Sequence, residues 1–237
     1  MSEENNKERS KQMTETEIIT GDMFKIMPQI EDNSFDYIFT SPPYNRKRND
    51  KYAFYDDSVD YTKMLEFLAR EGMRVARDYV FINVQKNYYN KEEVLNFLGE
   101  FSSSIAELIV WNKYNPMPAS GHSITNGYEF VIVLTKTGKP LKARKSYTKN
   151  IITTPVNSTN AYKKIHKAIM NEDFAKEFFS DFVEPNKRVL DPFSGLATTG
   201  IACMNNNDDY VGIEIVPKYA ELSRQRLKEK DNEITLF

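Results

Sequence analysis

Seven short runs rich in β-branched and aromatic residues recur along this chain, and most are separated by stretches with helical spacing. The runs are "EIIT" (17–20), "FDYIFT" (35–40), "YVFINV" (79–84), "AELIVW" (106–111), "YEFVIVLT" (128–135), "RVLDPF" (188–193) and "DYVGIEIV" (209–216). Several are apolar almost without interruption, as strands covered on both faces are. Between them, "YTKMLEFLARE" places Met64, Leu65, Leu68 and, further on, Val75 on one helical face. Further helices are expected around "MFKIMPQI", "KEEVLNFLGEF", "EDFAKEFFSDFV", "ATTGIACMNN" and "KYAELSRQRLKEK". This alternation implies an α/β architecture, a mixed sheet with helices on both sides. In such sheets ligands bind beyond the carboxyl ends of the strands.

Four of the expected strand ends carry small, acidic or turn residues: Gly21-Asp22, Ser41-Pro42-Pro43-Tyr44, Asp191-Pro192-Phe193 and Glu214. In "LDPFSGLATTG", Asp191 can accept hydrogen bonds from an ammonium group, and Gly195 lets backbone approach a ligand closely. Thr198 and Thr199 stand at a helix start, where backbone N–H groups favour an anion. Glu214 follows Asp191 by 23 positions, a spacing at which an acid commonly accepts from ribose hydroxyls. A ligand with an amine, a carboxylate and a ribose fits this loop, and S-adenosylmethionine has all three. NAD fits less well, because the strict G-x-G-x-x-G spacing is absent.

The other constellation, "FTSPPYN" (39–45), ends a strand on two prolines that fix the backbone and cannot donate to a ladder. Ser41 and the Pro42 carbonyl can accept from an exocyclic amine, and Tyr44 offers a face for a flat base. An aromatic amine is a poor nucleophile, because its lone pair is delocalised. Acceptors on its N–H groups help it pyramidalise and attack a methyl group, which is catalysis by positioning and electrostatics. A base must leave the duplex to reach such a site.

Charge is informative in its distribution. The net charge is −2, yet Phe130 to Asn171 contains no Asp or Glu and carries Lys136, Lys139, Lys142, Arg144, Lys145, Lys149, Lys163, Lys164 and Lys167. A second basic cluster, "NRKRNDK", follows the Pro-Pro-Tyr stretch. Together these favour phosphate binding. One cysteine, Cys203, and two histidines argue against a disulfide framework and a metal site. The charged start "MSEENNKERSKQMTETE" has no apolar core of a signal peptide, so residues 1–16 are expected to be a disordered leader and the location cytoplasmic. No apolar run approaches the ~20 residues that a membrane span needs.

"FTSPPYN", "LDPFSGLATTG" and "GIEI" together resemble the amino-methylating DNA methyltransferases, which modify cytosine N4 or adenine N6. With Pro-Pro-Tyr early and the cofactor loop late, the order resembles the β group, whose fold is circularly permuted. "IVWNKYNPMP", "NGYEFVIVLTK" and "HKAIMNEDFAKEFF" are similar to its middle region, and the resemblance covers about residues 17–230. It implies a Rossmann-like S-adenosylmethionine-dependent methyltransferase fold with a seven-stranded mixed sheet. It further implies a catalytic half over 17–136, a small basic recognition insertion over 137–163 and a cofactor half over 164–237.

Carried onto this chain, Ser41, Pro42, Pro43 and Tyr44 would hold the target base. Asp22, His166, Asp191, Phe193, Ser194, Gly195, Thr198, Thr199 and Glu214 would bind S-adenosylmethionine, while Arg46, Lys47, Arg48, Lys142, Arg144 and Lys145 would contact DNA. The serine form of the motif is linked mainly to cytosine N4, which makes that base the expectation, with adenine N6 the alternative. An RNA methyltransferase or an inactive nucleic-acid binder stays open. The partner implied is duplex DNA, with no membrane, and a small recognition segment leaves room for a homodimer or a second recognition subunit. One departure is visible: Leu196-Ala197 stand where the family usually has a small residue and a second glycine.

Overall fold

The computed structural model describes residues 14–44, 60–156 and 169–235. The strands are β1 (Thr16–Thr20), β2 (Phe35–Thr40), β3 (Ala76–Val84), β4 (Ile105–Lys113), β5 (Tyr128–Leu134), β6 (Ile151–Thr154), β7 (Arg188–Asp191) and β8 (Asp209–Glu214). The helices are α1 (Met23–Ile26), α2 (Tyr61–Val75), α3 (Lys91–Glu100), α4 (Glu172–Phe182), α5 (Thr198–Asn206) and α6 (Pro217–Thr235). The strands form one sheet in the order β1-β8-β7-β2-β3-β5-β4-β6. Only β5 runs antiparallel to its neighbours, β3 and β4.

The last two strands of the chain thus lie between the first two, as the permuted reading requires. The sheet has eight strands where seven were expected. The addition, β6, falls in the segment 137–163 expected to be a small basic recognition insertion; "IITT" is only four residues long and is followed by proline and asparagine, a weak strand signal. It pairs parallel with β4 and turns Ile152 and Thr154 inward while Ile151 faces outward.

Period-two alternation splits the core between the sheet's faces. Tyr37, Phe39, Phe81, Val131, Val133 and Val189 pack on one side with α4 and α5 residues such as Phe174, Phe178, Phe179 and Ile201. Ile38, Val80, Ile82, Ile132, Leu134 and Leu190 pack on the other with α2 and α3 residues such as Leu65, Leu68, Val94 and Phe97. Trp111 stacks on Phe174 with ring centroids 4.4 Å apart, which makes it a core residue, and Cys203 is also buried. Side-chain caps set two helix starts: Asp60 accepts from the Lys63 amide, and Asn171 from the Phe174 amide at 2.8 Å.

Between β7 and β2 the chain changes direction across the sheet. From β7 it proceeds through β8 toward β1's edge, and from β2 through β3 toward the other edge. A crevice for a ligand is expected at such a switch point. The strands that meet there, β7 and β2, end on Asp191 and on Thr40-Ser41.

Candidate functional site

The two strand ends are tied directly. Thr40 Oγ1 donates to Asp191 Oδ1 at 2.6 Å. The Phe193 amide donates to the same oxygen at 3.0 Å, and Thr199 Oγ1 to Oδ2 at 2.6 Å. Asp191 is buried, and desolvation pushes its carboxyl up to about 6 against the pull of these three donors. About four lone-pair sites exist on a carboxylate, so these bonds leave capacity for one further donor.

Beyond Asp191 the loop turns on left-handed residues. Gly195 has φ +54°, and a Cβ built there would meet nothing nearer than the Phe193 carbonyl oxygen at 4.0 Å, so the backbone borders open space. Ala197, the residue in place of a family glycine, has φ +56° and is fully buried. The left-handed conformation is strained for alanine by ~1–2 kcal/mol. The turn is held from behind. Arg226 of α6, itself buried, donates to the Leu196 carbonyl and to Thr198 Oγ1 and pairs with Glu172 at 2.6 Å. Ser223 Oγ donates to the Gly195 carbonyl at 2.8 Å, and Tyr210 Oη donates to Ser194 Oγ at 2.8 Å.

Glu214, at the end of β8, accepts from the Gly195 amide at 2.9 Å and from the Val216 amide at 2.8 Å, one on each oxygen. Burial pushes its carboxyl up to about 7. The remaining acceptor capacity suits a ribose hydroxyl. The Glu214 carbonyl accepts from the Gly21 amide at 2.9 Å, which brings the β1 end and Asp22 alongside. Asp22 also caps α1 through the Phe24 amide at 3.0 Å. An open glycine turn, a buried carboxylate with a remaining acceptor site and a second carboxylate on the next strand fit S-adenosylmethionine. Asp191 would take the amine, the α5 start at Thr198 the carboxylate, and Glu214 the ribose.

At the β2 end, Ser41 and Tyr44 enter a buried polar cluster. Tyr44 Oη lies 2.8 Å from Ser41 Oγ and donates to Glu129 Oε2 at 2.8 Å. Asn83 Nδ2 donates to Glu129 Oε2 at 2.7 Å and to Tyr44 Oη at 2.8 Å. Lys113 forms an ion pair with the other Glu129 oxygen, and both side chains are at most 7% exposed. The Tyr44 carbonyl is held by Asn87 Nδ2 at 2.9 Å and Asn90 Nδ2 at 2.8 Å. Pro42 is buried and Pro43 partly buried. The phenol of Tyr44 is therefore anchored, where sequence reasoning gave the residue only a stacking face.

The structure thus gathers Asp22, Ser41, Pro42, Pro43, Tyr44, Asp191, Phe193, Ser194, Gly195, Thr198, Thr199 and Glu214 at one end of the sheet. His166 and the basic residues Arg46, Lys47 and Arg48 lie outside the described residues. Lys142, Arg144 and Lys145 sit elsewhere. Arg144 Nη1 donates to the Phe179 and Val183 carbonyls, and Lys145 pairs with Asp181 at 2.7 Å. Nearby, the Pro140 carbonyl accepts from Tyr79 Oη at the start of β3. These contacts put the segment at the amino ends of the strands, away from Ser41, and make Arg144 and Lys145 braces of the α4 end.

Sequence reasoning missed Asn83, Lys113, Glu129 and Thr40. The signal available was a polar residue within an otherwise apolar strand run for Asn83 and Glu129, and one at or just past a run's end for Thr40 and Lys113. Among the described residues, no cluster of three or more His, Cys, Asp or Glu is placed to hold a metal ion, and no helix is long and apolar enough to cross a membrane.

Comparison with known proteins places this geometry. The N6/N4 methylase family model (N6_N4_Mtase), described as DNA methylase, matches residues 35–225. The chain is 28% identical to the Type II beta methyltransferase M.BslI of Bacillus sp. (strain NEB-606), over 88% of this chain and 27% of that relative. It is 26% identical to the Type II methyltransferase M.HinfI of Haemophilus influenzae, over 90% of this chain and 68% of that one. The chain therefore spans about a quarter of the first relative's length and about two thirds of the second's. Among solved structures, the cytosine-N4-specific PvuII DNA methyltransferase superposes with a TM-score of 0.72 at 18% identity, covering 94% of this chain and 93% of that one. M1.HpyAVI in complex with SAM superposes with a TM-score of 0.64 at 24% identity, covering 89% of this chain and 99% of that one.

Proposed function

The chain belongs to the N6/N4 DNA methylase family, with the β-group order of motifs, and from that premise we propose that it methylates the exocyclic N4 of a cytosine flipped out of duplex DNA. The observation that carries this reading is the Thr40–Asp191 hydrogen bond, which sets Ser41 beside the cofactor loop. S-adenosylmethionine supplies an electrophilic methyl group on a sulfonium. The work of this chain's own residues is positional. Ser41 Oγ and the Pro42 carbonyl would accept from the amine's N–H groups, so that the nitrogen lone pair leaves conjugation and is free to take the methyl group. The N–C bond would form as the S–C bond breaks to leave a neutral thioether, and the surplus N–H proton would pass to solvent. Asp191, Gly195 and Glu214 hold the donor side.

Cytosine is the base favoured by a serine at position 41. A neutral hydroxyl there matches the motif form linked mainly to N4 chemistry. DNA contact is assigned to the loops around Tyr44 and to the basic residues 46–48. Asn126 Nδ2 donates to the Lys86 carbonyl at 2.8 Å and ties two of these loops together. Tyr88, Tyr114, Met117 and Ile124 on these loops are exposed. Exposed aromatic and apolar groups around a base-holding motif are suited to stacking on unpaired bases.

The test is incubation with methyl-labelled S-adenosylmethionine and mixed-sequence duplex DNA, then digestion to nucleosides and identification of the labelled one by mass. N4-methylcytosine is the expected product. N6-methyladenine would keep the family and overturn the base. Label on RNA alone would overturn the substrate.

A further inference from the structure

The hydroxyl pair Ser41–Tyr44 ends on a buried carboxylate, and counting donors fixes the direction of its protons. Glu129 is paired with the Lys113 ammonium and acts only as an acceptor. The single phenolic proton of Tyr44 goes to Glu129 Oε2 at 2.8 Å. The two amide protons of Asn83 Nδ2 go to Glu129 at 2.7 Å and to Tyr44 at 2.8 Å, and its 3.4 Å approach to Ser41 is the weakest of the three. Tyr44 Oη then has no proton left for Ser41, 2.8 Å away, so the Ser41 hydroxyl must donate to Tyr44. The chain runs one way, from Ser41 to Tyr44 to Glu129. Ser41 Oγ is left with lone pairs only for an incoming group.

We infer that Glu129 is a positioning residue for amine methylation, an inference that rests on the function proposed above. Acting through Tyr44, it locks Ser41 as an acceptor toward the target amine. It also lends that neutral serine some of the acceptor strength of a carboxylate, since hydrogen bonds in a chain polarise one another. Lys113 and Asn83 hold Glu129 in place. Lys113 comes from β4, Glu129 from β5, Asn83 from β3 and Ser41 from the end of β2, so the device spans four adjacent strands.

The test compares the full chain with Tyr44→Phe, Glu129→Gln and the double variant, in the labelled assay on mixed-sequence duplex. Each single variant is expected to lower kcat by ~10–100-fold, the scale on which a preorganised polar contact acts, with little change in KM for DNA or in the Kd for S-adenosylmethionine. Because both changes cut one chain, the double variant should fall no further than the worse single one. Glu129→Gln leaves Lys113 buried without its partner and risks unfolding. In that event Tyr44→Phe, which keeps the ion pair, decides alone. A kcat within threefold of wild type for Tyr44→Phe, or losses that multiply in the double variant, would overturn the inference while the methylation reading stands. Absence of methyl transfer by the wild-type chain to any nucleic acid would overturn both.

Discussion

Thr40 and Asp191 are 151 positions apart in sequence, yet the Thr40 hydroxyl donates to the Asp191 carboxylate at 2.6 Å. This bond joins the Ser-Pro-Pro-Tyr motif to the Asp191–Thr199 loop at the point where the strand order reverses. Any shift of β2 against β7 would break it. The bond therefore fixes the distance across which a methyl group would move.

Replacing Thr40 by valine keeps the shape and removes the donor. Asp191 would retain the Phe193 amide and Thr199 but lose one of its three bonds while buried. The expected result is a loss of ~1–3 kcal/mol in unfolding free energy and a weaker S-adenosylmethionine affinity. Thr40→Ser restores the hydroxyl and should recover most of both. Urea unfolding and titration calorimetry on the three proteins measure the two effects.

Cofactor affinity should also depend on pH through Glu214. Its carboxyl is pushed up to about 7 by burial, so it is largely protonated at pH 6 and largely ionised at pH 8. Ribose hydroxyls donate best to the ionised form. Affinity for S-adenosylmethionine should therefore rise by up to about tenfold from pH 6 to pH 8, with proton release on binding. Glu214→Gln should bind more weakly and flatten that rise. An unchanged pH profile in this variant would remove Glu214 from the ribose site.

Much of this architecture was legible because strands buried on both faces write themselves as apolar runs. All seven expected strands match observed ones within a few residues. The first, "EIIT", matches although it is short, because Ile18 must be buried under its neighbours. Strand β6 was hidden by its length and by the proline and asparagine that follow it. The strand-end residues were legible as a set, since small and acidic residues break the apolar pattern at the same edge. Partners were not legible. Nothing local in "NGYEFVIVLTK" says that Glu129 faces Tyr44, because that contact depends on β5 lying antiparallel beside β3. The packing of the lysine-rich segment 136–149 was not legible for the same reason. Composition reported its charge, while the path of the chain past α4 decided what Arg144 and Lys145 would touch.

Ala197 provides a test of backbone strain. It holds φ +56° inside the core, where a β-branched side chain is a severe outlier. Ala197→Val should destabilise the chain by ~3 kcal/mol, through strain and overpacking together. Ala197→Gly relieves ~1–2 kcal/mol of strain but loses a buried methyl worth ~0.8 kcal/mol and adds unfolded-state entropy of ~0.5–1 kcal/mol. It should be nearly neutral. Thermal or urea unfolding of both variants separates backbone strain from packing.

Stability without ligand should fall as pH rises from 5 to 8. Asp191 is pushed up to about 6 and Asp208 and Glu214 to about 7, each chiefly by burial, against ordinary values near 4. Raised carboxyls hold protons in the folded state that the unfolded chain has already released. Their contribution is fully present below about pH 4 and is lost as pH climbs through 6 to 7. From pH 5 to 8 Asp191 accounts for ~1 kcal/mol and Asp208 and Glu214 for ~2–3 kcal/mol each. Asp208 is the cleanest probe, because it accepts from the Lys187 amide at 3.0 Å and from Asn206 at 2.8 Å and lies outside the proposed cofactor site. Asp208→Asn removes the titration and should shallow the slope of urea midpoint against pH, leaving the pH dependence of cofactor binding in place. A slope identical to wild type would mean that Asp208 stays ionised in the folded chain, with solvent reaching its carboxylate.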